Sequence, residues 1–357
     1  MNVQCSFCHA FHWMDERVSS SKLGHPDFGM CCAHGKIKLQ SMPVPPHALY
    51  NLFTGDTPQG REFRTNIVQY NAALAFTSLG VKVNDSLRGH GPPVFRIQGE
   101  LRHLSGSLLP EQSRPPCYSQ LYIYDADMAY QHRISRNENL SLNTMQVLQH
   151  LMSDYNSYAP IYQHAYEALR LYDAPEYTVR LCVVPGHDPR RYNLPTANEV
   201  GVILPGENCF EGDHRDIVLH LRLRFYHNPH DGVNHLQLSR ISEGHAAYAP
   251  LHYILLFPYG EPGWYYELRV PNNTRRVTLL QYTAYRLHPR LNEFSTILHG
   301  CRLFQTYLVD MFACIDQERL NFLRTQQKKL RVTLLNGMED ALSMSDGHDV
   351  GLNHIGQ

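Results

Sequence analysis

No run of about 18 apolar residues occurs in this 357-residue chain, so nothing in it reads as a membrane-spanning helix. Its start, Met1-Asn2-Val3-Gln4, lacks the charged-then-apolar order of a secretory leader. None of the 22 histidines stands two positions from another, which excludes a strand presenting a histidine pair from one face to one metal. The nearest arrangements, His9/His12 and His227/His230, have helical or turn spacing. Gly35-Lys36 is the one Gly-Lys pair and Ile37 follows it, so a phosphate-cradling loop ending in Gly-Lys-Ser/Thr is absent. A basic excess is missing too. The net charge is −1, whereas a protein built mainly to coat DNA neutralises phosphates with surplus Lys and Arg.

What is present starts at the N-terminus. Cys5-Ser-Phe-Cys8 can turn back on one metal, and the doublet Cys31-Cys32, beyond a polar loop containing Gly and Pro, completes a tetrahedral thiolate set of the structural zinc type. One structural zinc ion is therefore expected on Cys5, Cys8, Cys31 and Cys32. Adjacent cysteines need a sharp turn to share an ion, and Gly35 is placed to help it. His34 or His9 is the alternative fourth ligand, in place of Cys32. Nine cysteines, an odd number with five scattered, argue against a disulfide framework and for reduced thiols inside a cell.

Periodicity divides the chain into a zinc module at 1–40, with Phe11 and Trp13 as its expected apolar plug; an α+β domain at 41–245; a helical region at 246–335; and a tail at 336–357 whose Gly, Asp and Ser content reads as disordered. After Pro43, Pro45 and Pro46 one helix leads to Phe53, and a second carries Phe63, Ile67, Tyr70 and Leu74. Residues 142–171 hold two more helices. Strands are expected at 94–104, 121–124, 177–184, 200–204, 216–223 and 236–241. This order suits a mixed, mainly antiparallel sheet with packed helices. A helix over 278–287 carries Tyr282 and Tyr285, which read as core rather than as nucleophiles. From Leu303 a long helix repeats apolar residues at threes and fours through Leu323 towards Leu330.

With no general basic excess, DNA contact must come from local clusters. Arg190, Arg191 and Tyr192 on a turn, and Lys328, Lys329 and Arg331 on the helix tail, are the preferred candidates. Arg215 with Arg222 and Arg224, Arg275-Arg276, and Arg286 with Arg290 are others. A hydrolase built on His220, His227, His230 and Asp231 is disfavoured, because no paired acid or nucleophile lies near them.

Ordered blocks then run along most of the chain: Cys5-x-x-Cys8-x-Ala10-x-x-Trp13-x-x-Glu16 and Phe28-x-x-Cys31-Cys32-x-x-Gly35-Lys36; Phe63-Arg64-Thr65-Asn66-Ile67 with Tyr70-Asn71; Phe95-x-Ile97-x-Gly99 with His103; Gln120-Leu121-Tyr122-Ile123-x-Asp125; Arg190-Arg191-Tyr192-Asn193-x-Pro195-Thr196; Leu256-Phe257-Pro258-x-Gly260-x-x-Gly263-Trp264; and Arg302-Leu303-Phe304-Gln305-x-Tyr307-Leu308-Val309-Asp310. Together they resemble the N-terminal region of Helitron transposases, whose protein joins a rolling-circle nuclease to a DNA helicase. The resemblance implies a chain that ends before both catalytic motifs, so no activity alone, with the long helix as connector to the nuclease domain. It also implies nuclear localisation and a role in holding single-stranded transposon DNA, with the nuclease and helicase domains as partners. The alternative is a zinc-bearing interaction or scaffold protein from a truncated transposon copy.

Overall fold

Short polar residues cap four of the described helices. In the computed structural model, which describes residues 1–22, 24–79, 103–110, 114–172, 177–181, 203–205, 217–220, 224–227, 234–237, 239–270 and 275–326, α1 (His47–Thr54) follows the Pro45-Pro46 pair and buries Leu49, Leu52 and Phe53. α2 (Pro58–Leu74) starts where Thr57 Oγ1 accepts the Gly60 N–H at 3.0 Å, with Pro58 in the first turn, where its missing N–H costs no helical bond. Asp125 caps α3 (Ala126–Arg136) and Ser141 caps α4 (Leu142–Tyr155) in the same way, and α5 (Tyr158–Tyr172) follows. α6 (Tyr248–His252) is a single short turn of helix. Thr278 and Gln281 form a reciprocal capping box at the start of α7 (Leu279–Leu287), and α8 spans Cys301–Thr325.

Phe63, Ile67, Tyr70 and Leu74 form the fully buried stripe of α2, which packs on α1 and α4. Arg133 of α3 is also buried. Its Nε donates to the Ala73 carbonyl at 3.0 Å, a second nitrogen donates to Gln149 Oε1, and the guanidinium lies 4.9 Å from the Tyr122 ring centroid. The run 253–257, Tyr-Ile-Leu-Leu-Phe, is wholly inaccessible although it is not helical or stranded. Its backbone is satisfied partly by side chains: Asn71 donates to the His252 carbonyl at 2.7 Å and accepts from Leu255 N at 3.2 Å.

The strands are short. β1 (Val3–Gln4) pairs with β2 (Phe11–His12); β3 (Ser78–Leu79), β4 (His103–Ser105) and β10 (Ser239–Ile241) form a sheet in the order β10-β4-β3. β5 (Tyr177–Leu181) is flanked by β6 (Ile203–Pro205) and β7 (Ile217–His220), while β8 (Arg224–His227) pairs with β9 (Asn234–Gln237). Every pairing among the described strands is antiparallel. Mixed helices with a few antiparallel strands make this an α+β fold. The chain divides into two units, Met1–Met311 and Phe312–Gln357.

Two expectations of local structure differ from what forms. Residues 121–124 are not a strand, since a 3₁₀ turn covers Tyr118–Tyr122. Gln120 organises it, accepting Cys117 N at 2.9 Å while its amide donates to the Ser107 and Leu109 carbonyls. After Pro250 the chain does not become continuously helical, because the buried 253–257 run is held by tertiary hydrogen bonds. Of the apolar series on α8, Leu303, Tyr307 and Met311 are buried, whereas Phe312, Leu320 and Leu323 stand about half exposed. The expected tail at 336–357 lies outside the described residues.

Candidate metal centre

The β1–β2 hairpin carries the first cysteine turn. Cys5 N donates to the Ala10 carbonyl at 2.9 Å and His9 N to the Cys5 carbonyl at 3.0 Å, closing a loop that puts Cys5 and Cys8 on one side, with His9 at φ 57°. The second turn answers the difficulty of adjacent cysteines. Ala33, His34 and Gly35 are three consecutive left-handed residues (φ 50°, 58° and 78°) that reverse the chain immediately after the doublet. Gly35 N donates to Cys32 Sγ at 3.1 Å, and Ile37 N to the Cys32 carbonyl at 2.9 Å. A side chain at Gly35 would lie 2.8 Å from the Phe7 ring, which with its φ makes glycine the residue this turn requires.

The four sulfur atoms of Cys5, Cys8, Cys31 and Cys32 lie within 4.8 Å of one another. Cys5–Cys32 and Cys31–Cys32 are both separated by 3.8 Å. A tetrahedral ion with metal–sulfur bonds of about 2.3 Å places its ligands about 3.8 Å apart, which these two separations match, so the cluster could hold a metal of that kind. Cys5, Cys31 and Cys32 are buried and Cys8 is half-buried. His34 is outside the set, its Nδ1 paired with Asp27 Oδ2 at 2.7 Å, and His9 is likewise not among the gathered ligands.

As four sulfhydryls the cluster is electrostatically frustrated. The hydrogen bond from Cys31 pulls Cys8 down to about 4, against its burial and with help from the Ala10 amide and Arg290. Donating that bond, together with burial, pushes Cys31 far above the ordinary thiol value, and burial pushes Cys32 up to about 12. Burial and mutual repulsion thus oppose ionisation of Cys31 and Cys32, and a divalent cation is what would let the cluster ionise together.

Phe28, not Trp13, is the apolar plug. Phe28 is fully buried and stacks on His12 with centroids 4.1 Å apart, whereas Trp13 is 57 % exposed and Phe11 half-buried. The strand pairing decides this, because placing His12 inward turns its neighbour Trp13 out.

The cysteine-bearing segment is fastened to the last turn of α7 and to the residues that follow it. Phe11 N donates to the Pro289 carbonyl at 2.9 Å. Arg290 Nε donates to the Cys8 carbonyl at 3.2 Å, with a second nitrogen 3.8 Å from Cys8 Sγ, and its guanidinium stacks 3.7 Å from the Tyr285 ring centroid. Arg286 donates to the Gln40 carbonyl at 2.7 Å. Both arginines are structural here rather than free for phosphate. Four thiolates on a divalent ion carry net charge −2, and Arg290 offsets part of it. Tyr282 and Tyr285 are buried too, burial raising the Tyr285 hydroxyl above its usual value while it reaches the Leu39 carbonyl at 3.4 Å. A nucleophile would need an open approach, which neither has.

The preferred DNA-contact candidates Arg190, Arg191, Tyr192, Lys328, Lys329 and Arg331 lie outside the described residues, as do His230 and Asp231. Arg276, one of the secondary candidates, pairs with Glu267 at 3.1 Å. No described helix is long and apolar enough to cross a membrane. What sequence reasoning missed is the seat of the module, Pro289 and Arg290, which no local pattern marks.

Residues 282–357 match the family described as the Helitron helicase-like domain at the N-terminus, which supports reading this part of the chain as an N-terminal Helitron helicase-like region. The matched segment begins within α7 and takes in Arg290. Comparison with curated proteins finds no match.

Proposed function

We propose that this chain is a non-catalytic N-terminal part of a Helitron-like rolling-circle transposase, with one structural zinc ion on Cys5, Cys8, Cys31 and Cys32, working in the nucleus to bind and position single-stranded transposon DNA for nuclease and helicase domains. The observation that carries it is the joint between the cysteine cluster and the family-matched segment, made by Arg290 on Cys8. The bound ion would supply folding energy and rigidity rather than chemistry. Residues 1–40 are in this reading the zinc module, docked on the start of the matched segment. Zinc is favoured over other ions by an all-thiolate donor set at tetrahedral spacing.

Binding is expected to favour single strands, where splayed bases stack on aromatics and a few Arg and Lys contacts suffice. With roughly three to five phosphates neutralised, affinity should fall with a log-log salt slope of about −2 to −4. Arg190 and Arg191, beside Tyr192, are the proposed main contacts. Fluorescence anisotropy at two salt concentrations tests this: the double change to alanine should weaken binding and flatten the slope, and an unchanged affinity and slope would leave the segment structural. If the protein binds no single-stranded DNA at all, the second reading, a zinc-bearing interaction or scaffold protein, takes over. That reading draws on the net charge of −1 and on Arg286 and Arg290 being engaged internally.

The isolated chain is expected neither to nick DNA nor to hydrolyse ATP. Cleavage of single-stranded DNA by pure protein, abolished by Tyr282→Phe or Tyr285→Phe, would overturn this assignment of the two tyrosines.

A further inference from the structure

Between Trp264 and Thr278, just ahead of α7, the sequence carries Arg269, Arg275 and Arg276 against a single carboxylate, Glu267. The chain doubles back there. Arg269 and Arg276 form an antiparallel bridge, and Val277 N donates to the Leu268 carbonyl at 2.8 Å. Residues directly opposite in such a pair project from the same side, so the two guanidiniums stand together. Glu267 spans them, 3.1 Å from a nitrogen of Arg276 and 3.7 Å from one of Arg269. It offsets one charge of three. Both arginines are exposed, and ion pairs at exposed positions are weak, so a phosphate can take the place of the carboxylate at little cost.

An aromatic ring stands at the same bend. Tyr266 directly precedes Glu267, in the turn closed by the Leu268 N–H on the Tyr265 carbonyl at 3.0 Å. Its ring lies over Gly244, where a Cβ would come within 1.9 Å of it, and Trp264 meets it edge-on with centroids 5.1 Å apart. Trp264 is itself buried and fixed, its Nε1 donating to the Val277 carbonyl at 2.7 Å. Tyr266 nevertheless remains 41 % exposed. A ring seated in this way is ordered before anything stacks on it, which lowers the entropic cost of binding.

We propose that the Tyr266 ring and the Arg269–Arg276 pair form a binding site for single-stranded DNA, with an unpaired base stacked on Tyr266 and neighbouring phosphates held by the two guanidiniums. The site rests on the reading that this chain binds single strands, and it gives the strand a seat additional to Arg190 and Arg191. The local excess of positive charge selects a polyanion. The exposed ring selects one with unpaired bases, since a base within a duplex has both faces covered by its neighbours.

Fluorescence anisotropy of a labelled oligothymidylate with the full chain tests it. Tyr266→Leu should weaken binding by roughly tenfold, and Tyr266→Phe, which keeps the ring, should bind as the unaltered protein does. On an abasic strand of the same length the unaltered protein and Tyr266→Leu should bind alike, an equality that a merely structural role for the ring would not produce. Changing Arg269 and Arg276 together to alanine should flatten the log-log salt slope by about 1.4, at about 0.7 per phosphate. This double change, at exposed positions, decides the matter if Tyr266→Leu fails to fold. An unchanged slope, an unchanged oligothymidylate affinity for Tyr266→Leu, or an equal loss on the abasic strand would overturn the site while single-strand binding stands. No binding by the unaltered protein would overturn both.

Discussion

Cys8→Ser is expected to release the cluster's metal and unfold residues 1–40 while the helical core around α2 and α4 persists. Three of the four cysteines are buried, and the two knuckle turns hold a short segment whose own buried apolar side chains are few: Ala10, Phe28 and Ile37 among them. A segment of this size does not fold on such a core alone. Apparent binding energies for structural zinc reach about 10–16 kcal/mol, so loss of one ligand exceeds anything the local packing can offset. Limited proteolysis should then cut within 1–40 and spare α2. Acidification should act as the substitution does, because loading the ion requires Cys31 and Cys32 to give up protons they hold firmly. Equimolar zinc retained by the Cys8→Ser protein would defeat the assignment.

The second large effect is expected far from the metal. His103 on β4 and Asp310 on α8 are buried, with His103 Nε2 2.8 Å from Asp310 Oδ2 and His103 Nδ1 2.9 Å from the Tyr248 carbonyl. Tyr248 Oη donates to the other carboxylate oxygen at 3.1 Å, and its ring stacks on His103 at 3.8 Å. Burial alone would raise Asp310, but the His103 charge and hydrogen bond outweigh it and hold the carboxyl below its usual range. Both ring nitrogens of His103 thus face oxygen atoms, and Asp310 is shared between His103 and Tyr248. Asp310→Ala breaks this buried pair from one side, and should destabilise the fold by roughly 3–5 kcal/mol in denaturant titration. Replacing both partners by leucine should recover much of the loss, because the pair's own desolvation cost goes with it. Equal destabilisation by the single and double variants would show that shape, not charge, sets the effect.

The same cluster sets a pH dependence. His252, whose ring centroid is 4.6 Å from that of His103, is pushed down to about 3 by burial and by the His103 charge. Above pH 6.5 it is neutral in both folded and unfolded chains. As pH falls from 6.5 towards 3 only the unfolded chain takes up the proton, so stability is lost. Asp310 acts with the same sign at lower pH: its contribution is present above the unfolded-state value and is lost as pH falls through the lower folded value. Unfolding free energy should thus drop by on the order of 2 kcal/mol between pH 7 and pH 4.5. His252→Leu should flatten that slope; an unaltered slope would place the proton uptake elsewhere.

By itself the sequence determined what is local. Cys5-x-x-Cys8 and Cys31-Cys32 carry their chemistry in their spacing, and α2, α4 and α7 carry theirs in caps and apolar periods that need no distant partner. Only tertiary structure decided the rest, because those interactions join residues far apart in the chain and no short pattern encodes them. Phe28 displaced Trp13 from the module's interior because hairpin register, not hydrophobicity, chooses which side faces in. Residues 121–124 gave up their strand-like composition to a turn held by the Gln120 side chain. Arg290 meets Cys8 across 282 positions and His103 meets Asp310 across 207. A charged side chain reads the same in sequence whether it faces water, a phosphate or a buried carbonyl. Its partner is chosen when the chain closes, by the cost of burying a charge without one.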